Sequence, residues 1–338
     1  GELEEKSLRA EVGTRNNSGE FSGYGQGVST VILRRPFLEV DAKIQGQDSF
    51  AARPGESLEM EISFRNNLPV PVQNAVVQAS FGGRGFDERQ IRVRDGVYRV
   101  SDKKGIWNSS SAPFLEKLDP GKSGLLRLQL VMLEPTPQNS ADKEFKTTID
   151  LDIRPGVLPS GFSGTDVTGD DAFEIKLISR LQLVRRGFYF SATLPNSGPL
   201  PPRVGQETTF TVVWSLINST NDLSNVVVRA RLPAYMSWKN AVIPREAAVN
   251  FDSASGEILW QVGELKAGVG YLSPAREITF QIGLTPSPNQ VGQSPELVSA
   301  VQAAGRDNFA GREVEMEAPA LTLGLEDDPK VDFSQTAV

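Results

Sequence analysis

The sequence repeats itself once over most of its length, at a spacing of about 150 residues. The segment 74–81, Asn-Ala-Val-Val-Gln-Ala-Ser-Phe, returns as 225–232, Asn-Val-Val-Val-Arg-Ala-Arg-Leu, and 135–139, Pro-Thr-Pro-Gln-Asn, returns as 286–290, Pro-Ser-Pro-Asn-Gln. Solenoid and propeller repeats have shorter periods of about 20 to 50 residues. The repeat therefore predicts a tandem pair of whole domains.

A third, partial copy fixes where each repeat ends. A Phe-small-Gly signature occurs at 21–23, 162–164 and 309–311, and each signature lies between two extended runs. The runs before it contain alternating apolar residues: Leu8, Ala10 and Val12; Ile149, Leu151 and Ile153; and, more weakly, Val298 and Ala300. We therefore predict the closing hairpin of a partial preceding domain at 1–35, a first complete domain at 36–178, a second at 179–324, and an acidic exit segment at 325–338.

Apolar and polar residues alternate along the runs of both copies, which is typical of half-buried strands. In the second copy Phe210, Val212, Trp214 and Leu216 are predicted to point inward, while the side chains that point out are Thr209, Thr211 and Ser215. Turn-forming groups such as Asp119-Pro120-Gly121 separate the runs, and no sustained helical period is found. The predicted fold class is all-β, with tandem immunoglobulin-like antiparallel β-sandwiches.

Composition excludes several kinds of chemistry. The 338 residues contain no cysteine and no histidine, so the chain has no thiolate nucleophile, no disulfide and no imidazole for proton transfer or metal binding. The net charge of −7 disfavours nucleic-acid binding. The longest apolar stretch, Leu125–Leu133, is interrupted by Arg127 and Gln129 and is too short to cross a bilayer. We expect no enzymatic activity, no cofactor, no metal site and no membrane-spanning segment in this chain.

Two short motifs invite a binding interpretation. Gly121-Lys122-Ser123 is similar to the end of a phosphate-binding loop, but the earlier glycine of that loop is replaced by Glu116. Because Leu118–Gly121 takes the place of Leu265–Gly268 in the repeat, we predict an interstrand turn. The acidic loop containing Asp166, Asp170 and Asp171 with Thr165 and Thr168 offers oxygen ligands for calcium. The other copies lack these aspartates, so a solvated loop is the favoured interpretation.

Aromatic residues are interpreted mainly as core. Phe188 and Phe190 share one strand face, which predicts burial for both and leaves Tyr189 half-exposed at most. The four tryptophans, Trp107, Trp214, Trp238 and Trp260, are likewise predicted to lie in the core. A sugar-binding platform formed by residues 188–190 is the alternative.

Three glycosylation sequons begin at Asn16, Asn108 and Asn218. We predict exposed turns there, and their modification depends on the host. Paired carboxylates are the remaining catalytic possibility, and no pair is singled out by its position. No residue is therefore assigned as catalytic, cofactor-binding or metal-ligating.

The second copy resembles the conserved-repeat domains of bacterial surface and secreted proteins. Its matching segments are Val204–Gln206, Thr209–Val212, Asn225–Val228, Leu232-Pro233, Trp260–Gly263, Leu265–Gly268 and Arg276–Phe280. The first copy matches more loosely, since Trp107 corresponds to Trp260 but Asn108–Ser111 replaces the residues around Val262-Gly263. The resemblance implies immunoglobulin-like domains in a structural or adhesive role outside the cell, with no catalytic residues to carry over.

Three functions are compatible with this sequence. The first is a structural protein of the bacterial surface or extracellular space, with tandem domains forming a stalk, coat or filament. Its copies join head to tail by strand addition from the hairpin at 1–35; the alternative for this hairpin is packing on upstream sequence lost by truncation. The second is an adhesin that binds a glycan or a host protein. The third is an accessory region of a secreted carbohydrate-active enzyme.

Overall fold

The computed structural model describes residues 3–15, 21–34 and 36–338, and these residues are organised almost wholly as strands. The strands up to the end of the first repeat are β1 (Leu3–Arg15), β2 (Phe21–Arg34), β3 (Leu38–Ile44), β4 (Ser49–Ala52), β5 (Ser57–Asn66), β6 (Val72–Gln73), β7 (Val76–Gly83), β8 (Arg92–Val93), β9 (Val97–Arg99), β10 (Lys104–Trp107), β11 (Lys117–Leu118), β12 (Ser123–Val131), β13 (Lys146–Arg154) and β14 (Gly169–Leu177).

The second repeat forms a matching series. Its strands are β15 (Leu181–Phe188), β16 (Thr208–Asn218), β17 (Leu223–Arg231), β18 (Met236–Ile243), β19 (Val249–Asp252), β20 (Glu257–Leu265), β21 (Arg276–Leu284), β22 (Glu296–Val298), β23 (Val301–Asp307), β24 (Arg312–Ala318) and β25 (Leu321–Thr322). Short 3₁₀ turns occur at Glu88–Gln90, Pro113–Leu115, Pro288–Gln290 and Phe333–Gln335.

Each repeat forms a sandwich of two antiparallel sheets. In the first, a four-stranded sheet in the order β3-β5-β12-β8 faces a six-stranded sheet in the order β4-β14-β13-β7-β10-β9. In the second, the orders are β15-β16-β21-β18 and β19-β20-β17-β23-β24. Two small pairs, β6 with β11 and β22 with β25, lie outside these sheets. The predicted all-β fold with tandem antiparallel sandwiches is confirmed.

The strand order is the same in both sandwiches. The four-stranded sheets correspond strand for strand, and β7-β13-β14 corresponds to β17-β23-β24. This is the order of constant-type immunoglobulin sandwiches, with two extra strands beside β7 or β17, namely β9 and β10 or β19 and β20.

The core of each sandwich consists of the inward residues of both sheets. In β5 the burial pattern alternates along the whole strand, as predicted, with Met60, Ile62 and Phe64 buried. In the second core Trp214 of β16 and Phe280 of β21 pack against residues of the opposite sheet such as Val228 and Trp260. Alternation with a period of two therefore gave the correct inward face for these strands.

The outward residues of β16 differ from the expectation. Thr209, Thr211 and Ser215 point away from the core but are buried. The segment before β16 covers Thr209 and Thr211, and the side chains of Arg186 and Glu277 contact Ser215. The Thr211 hydroxyl donates to the Leu194 carbonyl at 3.0 Å, and the Ser197 amide donates to the Thr209 hydroxyl at 2.7 Å. Alternation along one strand cannot reveal a covering loop.

The last repeat of the Phe-small-Gly signature also differs in detail. The strand before Phe309 begins at Val301, so its inward residues are Val301 and Ala303. Val298 belongs to the short strand β22, and Ala300 is only half-buried. The predicted pair was wrong because the chain leaves β22 and re-enters the sheet within three residues.

The described residues form two compact units, one around each sandwich core. The first contains the described residues up to Phe50, Ser57–Val131 and Thr147–Ile175, and the second contains Ala51–Glu56, Met132–Lys146 and Lys176–Val338. The limits expected from the sequence, at 36–178 and 179–324, stay predictions.

Trp214 should be a major anchor of the second core. It is fully buried, its ring meets that of Phe280 edge to face at 4.9 Å, and its buried indole N–H has no hydrogen-bond partner among the described residues. We expect Trp214→Ala to lower the free energy of unfolding by about 3–5 kcal/mol. Trp214→Phe should cost less than half as much, since it keeps an aromatic ring and removes the unpaired donor.

Urea denaturation followed by circular dichroism measures both changes, and Val184→Ala, at an exposed position on β15, is the control. Equal losses for the alanine and phenylalanine variants would contradict this account of the site.

Candidate functional site

The segment ahead of the first sandwich is a two-stranded ribbon with exposed apolar side chains. Strands β1 and β2 pair antiparallel, and we call this pair the ribbon. Leu8 is 63% exposed and Val12 is 71% exposed, and Tyr24 and Val28 are exposed to a similar degree. An isolated two-stranded ribbon is marginally stable in water. Exposed apolar groups on such an element mark it as a candidate interaction surface.

One face of the ribbon is flat. Leu8, Ala10 and Val12 lie on the same face of β1, and we call them the apolar stripe. The residues opposite them on β2 are Ser29, Gly27 and Gly25. Glycine adds no side chain, so another surface can approach the stripe closely.

The ribbon also has a free edge. Its counterparts in the repeat, β13 and β23, pair on one side with β7 and β17. In the described part of the chain, β1 pairs with β2 alone. A strand edge without a neighbour presents backbone donors and acceptors to a further strand.

A buried asparagine ends the second strand of each sandwich. Asn66 and Asn218 are both fully buried. The Nδ2 of Asn66 donates to the carbonyls of Leu118 at 2.8 Å and Val70 at 3.0 Å. The Nδ2 of Asn218 donates in the same way to Leu265 at 3.1 Å and Asn221 at 2.7 Å, and also to Lys266.

The glycosylation sequons are therefore not equivalent. The prediction of an exposed turn at Asn218 was wrong, because its amide nitrogen is buried and engaged by carbonyls. Asn108 is half-buried, and its Oδ1 accepts from the amides of Ser110 and Ser111 at 3.0 and 3.2 Å. Asn16 lies outside the described residues. A sequon is a local pattern and carries no information on burial.

Asn218→Ala should destabilise the second sandwich strongly, because it leaves the two buried carbonyls of Asn221 and Leu265 without this donor and also removes the contact with the Lys266 carbonyl. Each unsatisfied buried group costs about 1–3 kcal/mol, and we expect a total loss of about 3 kcal/mol in the free energy of unfolding. Asn66→Ala should act similarly on the first sandwich. Asn108→Ala is the matched control, with an expected loss of about 1 kcal/mol, and denaturant unfolding measures all three. A loss for Asn218→Ala no larger than that of the control would contradict the role of the amide.

Gly121-Lys122-Ser123 forms a turn between strands, as predicted. The Lys122 amide donates to the Asp119 carbonyl at 2.9 Å, and Gly121 has φ +73°, a left-handed conformation that glycine adopts without strain. The Gly121 amide donates to the Asn66 carbonyl at 2.8 Å, and the Gly268 amide donates to the Asn218 carbonyl at 3.1 Å. The repeat partner thus makes the same turn contact.

The three aspartates of the acidic loop do not form a common ligand site, because Asp166 and Asp171 bind different backbone amides. The Asp166 carboxylate accepts from the Thr168 amide and hydroxyl, and the hydroxyl contact, followed by the amide contact, lowers the pKa of Asp166. Asp170 and Asp171 lie on β14, and Asp171 accepts from the Ala42 amide at 3.0 Å. Among the described residues no group of three or more histidine, cysteine or acidic side chains is arranged to hold a metal ion.

One carboxylate pair is electrostatically coupled. Burial raises the pKa of Asp41, nearby Lys43 lowers it, and the charge of Asp171 raises it further. Asp171 is already bound to the backbone of β3 through Ala42. This contact joins β3, at the edge of the four-stranded sheet, to β14 of the six-stranded sheet, and it supports a structural role for the pair.

The aromatic residues near the end of β15 differ from the prediction. Phe190 is exposed and Phe188 is half-buried, while Tyr189 packs against the core. The inward residues of β15 are Leu181 and Leu183, so the inward face continues to Tyr189. The prediction failed because three consecutive aromatics hide the alternation. Of the tryptophans, Trp107, Trp214 and Trp260 are buried as predicted, and Trp238 is half-buried.

The segment after Gly324 packs on the second sandwich through Asp328. This buried carboxylate accepts from the amides of Tyr189, Phe190 and Ser191 at 2.8, 2.7 and 3.2 Å. Burial raises the pKa of Asp328, but the amide contacts of Tyr189 and Ser191 outweigh it, and the pKa lies below its ordinary value. Leu325, also buried, meets Gly187 of β15. We call residues 325–338 the C-terminal clamp.

The C-terminal clamp should loosen in acid. A carboxylate with a lowered pKa stabilises the folded state above its ordinary pKa of about 3.9, and this stability is lost as the pH falls through the lower folded value. The amide resonances of Tyr189, Phe190 and Ser191 should therefore titrate together with a midpoint below about 3.9.

Asp328→Asn should abolish that titration, and Asp327→Asn, at the exposed neighbouring residue, should leave it intact. A midpoint above the ordinary aspartate value in the unaltered chain would contradict the contact.

The sequence matches no protein-family model and no curated protein. Among solved structures, the chain is similar to the C-terminal domain of the AgI/II polypeptide BspA of Streptococcus agalactiae, with 10% identity, a TM-score of 0.29, and coverage of 83% of this chain and 99% of that one. It is also similar to the C-terminal domain of the antigen I/II-family protein AspA of Streptococcus pyogenes, with 11% identity, a TM-score of 0.32, and coverage of 83% and 98%.

A further likeness is to a family 123 glycoside hydrolase from Clostridium perfringens, with 11% identity, a TM-score of 0.25, and coverage of 48% of this chain and 28% of that one. With TM-scores of this size, none of the three assigns a family or a function. The resemblance to conserved-repeat domains therefore stays a prediction. Within the described residues no helix has the length and apolarity needed to cross a membrane.

Proposed function

We propose that this chain is a non-enzymatic structural protein of the bacterial cell surface or extracellular space. Its tandem sandwiches build a stalk, coat or filament, and its copies join through the ribbon. The observation that carries this proposal is the ribbon itself, with a free edge and an apolar stripe exposed by 63–71% at Leu8 and Val12.

A role outside the cell is supported by the resemblance of Val204–Leu323 to conserved-repeat domains. A non-enzymatic role is supported by the composition, since the chain has neither imidazole nor thiol. The carboxylates of Asp166 and Asp171 bind backbone amides of their own chain. The adhesin and the accessory enzyme region stay alternatives without a specific observation in their favour.

Deletion of residues 1–35 should abolish self-association and leave both sandwiches folded. Sedimentation velocity over a range of concentrations measures association, and circular dichroism with thermal melting checks the fold. A milder variant, Leu8→Ser with Val12→Ser, should weaken association at least tenfold because it removes the apolar stripe.

Val97→Ser with Val291→Ser is the matched control, since both valines are 61% exposed and lie outside the ribbon. Association of the deletion variant as strong as that of the unaltered chain would refute the proposed joint, and so would an unaltered chain that stays monomeric at every concentration.

A further inference from the structure

A groove of about 750 Å³ opens along β18 of the second sandwich. Trp238, Val242 and Ile243 of β18 form much of its wall, and Leu194, Ala247 and Val249 add aliphatic side chains from the neighbouring segments. Asn240 and Arg245 are its two polar members. We call this feature the seam groove.

The seam groove lies where the two sheets of the second sandwich end side by side. We call such a gap between the edge strands of two packed sheets a seam. β18 is the edge strand of the four-stranded sheet, and β19 is the edge strand of the five-stranded sheet. The five residues 244–248 connect them, and Val249, the first residue of β19, lines the groove. An edge strand has unpaired backbone groups along one side, so the groove offers strand edges beside a lining of apolar and polar residues.

The corresponding seam of the first sandwich is closed. Its edge strands β8 and β9 are joined by only three residues, 94–96. Trp107 fills the space beneath and donates from Nε1 to the Arg94 carbonyl at 2.8 Å. A Cβ atom on Gly96 would lie within 2.8 Å of Val93, Trp107 and the Ile106 carbonyl, so this seam has no room for an added side chain.

The other seam of the second sandwich is closed as well. It lies between β15 and β24, and Arg185 of β15 donates to the Pro319 carbonyl across it at 2.7 Å. Leu321 and Leu325 fill the space over Gly187, and the C-terminal clamp holds the end of β15 through Asp328. An open groove is thus a particular property of the β18 seam in this sandwich.

The lining of the seam groove favours a peptide segment over a sugar. Sugars stack on free aromatic faces, but the Trp238 ring already packs against the rings of Phe251, stacked at 5.5 Å, and Phe280, at 5.2 Å. The aliphatic side chains of Leu194, Val242 and Val249 can contact apolar side chains on one face of a strand, and Asn240 and Arg245 can bind its polar groups.

The ribbon supplies such a strand. The apolar stripe of Leu8, Ala10 and Val12 alternates with Arg9 and Glu11 on the opposite face. That is the pattern of a strand with one buried face. β1 has 13 residues and β18 has 8, so β1 is long enough to lie along β18 on both sides of the irregularity between Trp238 and Val242.

We propose that the apolar stripe of one copy docks in the seam groove of a second copy, with β1 alongside β18. Each copy has one stripe and one groove, so the contact is heterologous and propagates from copy to copy. This inference rests on the proposed function and names the partner of the ribbon as a second copy of this chain.

Single introduced cysteines test the contact in the full chain, since it has no cysteine of its own. A Leu8→Cys chain is mixed with an Ile243→Cys chain that carries a size tag, and a short bismaleimide crosslinker is added. Crosslinked heterodimers are expected. Val204→Cys replaces Ile243→Cys in the control, because Val204 is 42% exposed, against 39% for Ile243, and does not line the groove.

A second measurement uses charge. Ile243→Glu should weaken self-association at least tenfold, and Val204→Glu should leave it unchanged, with thermal melting to show that both variants are folded. Loss of association on ribbon deletion, together with normal association of Ile243→Glu and equal crosslinking at Val204, would overturn the groove and leave the proposed function standing. An unaltered chain that never associates would overturn both.

Discussion

The side-chain amide of one asparagine at the end of β5, and of another at the end of β16, holds each sandwich together at that point. Only an amide fits the position, because two donors must reach buried carbonyls while the oxygen accepts. A carboxylate could not donate, and an apolar side chain would leave the carbonyls of Leu118 or Leu265 unpaired. Each asparagine also pairs through its backbone. The backbone N–H of Asn66 donates to the Lys122 carbonyl, and that of Asn218 donates to the Val269 carbonyl, both at 2.9 Å. These contacts fix the turn that precedes β12 to the end of β5, and the turn that precedes β21 to the end of β16. They thereby help to set the register of each strand pair. A slip of one residue in that register would turn the core face toward solvent.

The side-chain oxygen of this asparagine accepts from different donors in the two copies. In the first sandwich the Asn66 oxygen accepts from the Leu68 amide at 2.9 Å. In the second, the Asn218 oxygen accepts from the Ser179 hydroxyl at 2.7 Å. The Ser179 amide in turn donates to buried Asp307 at 2.7 Å, and the amides of Phe309 and Ala310 donate to the same carboxylate. The local turn contact of the first copy is thus replaced, in the second, by a buried chain of polar contacts that reaches the signature Phe309.

Much of this architecture could be predicted from the sequence, because apolar and polar residues alternate along a strand that has one buried face. The inward faces of β5 and β16, the turn at Gly121 and the burial of Trp107, Trp214 and Trp260 all follow from alternation and from comparison of the two copies. The failures share a cause, which is that the deciding contact comes from a distant part of the chain. Residues 194–197 cover the outer face of β16, three carbonyls bury the Asn218 sequon, and Asp328 fixes the end of β15, where the aromatic run conceals the alternation. The strands of the ribbon could be predicted, but the groove beside β18 could not. Its presence depends on which gaps between sheet edges are closed by side chains from other segments.

A sandwich of two open sheets has a seam along each side, and every seam exposes core side chains and strand edges unless something closes it. The chain uses different devices for this purpose. Trp107 and the tight turn at Gly96 close one seam of the first sandwich, and the Ala42 amide donates to Asp171 between β3 and β14 at the other. In the second sandwich the C-terminal clamp closes one side, and the β18 side stays open.

The ribbon lacks a sheet rather than a strand, because its apolar stripe and free edge have no sheet to join among the described residues. A groove with aliphatic walls beside an unpaired strand edge, and an amphipathic strand without a sheet, offer complementary surfaces in the same chain. Burial of each by the other removes apolar area from water on both sides and supplies hydrogen-bond partners to two unpaired edges.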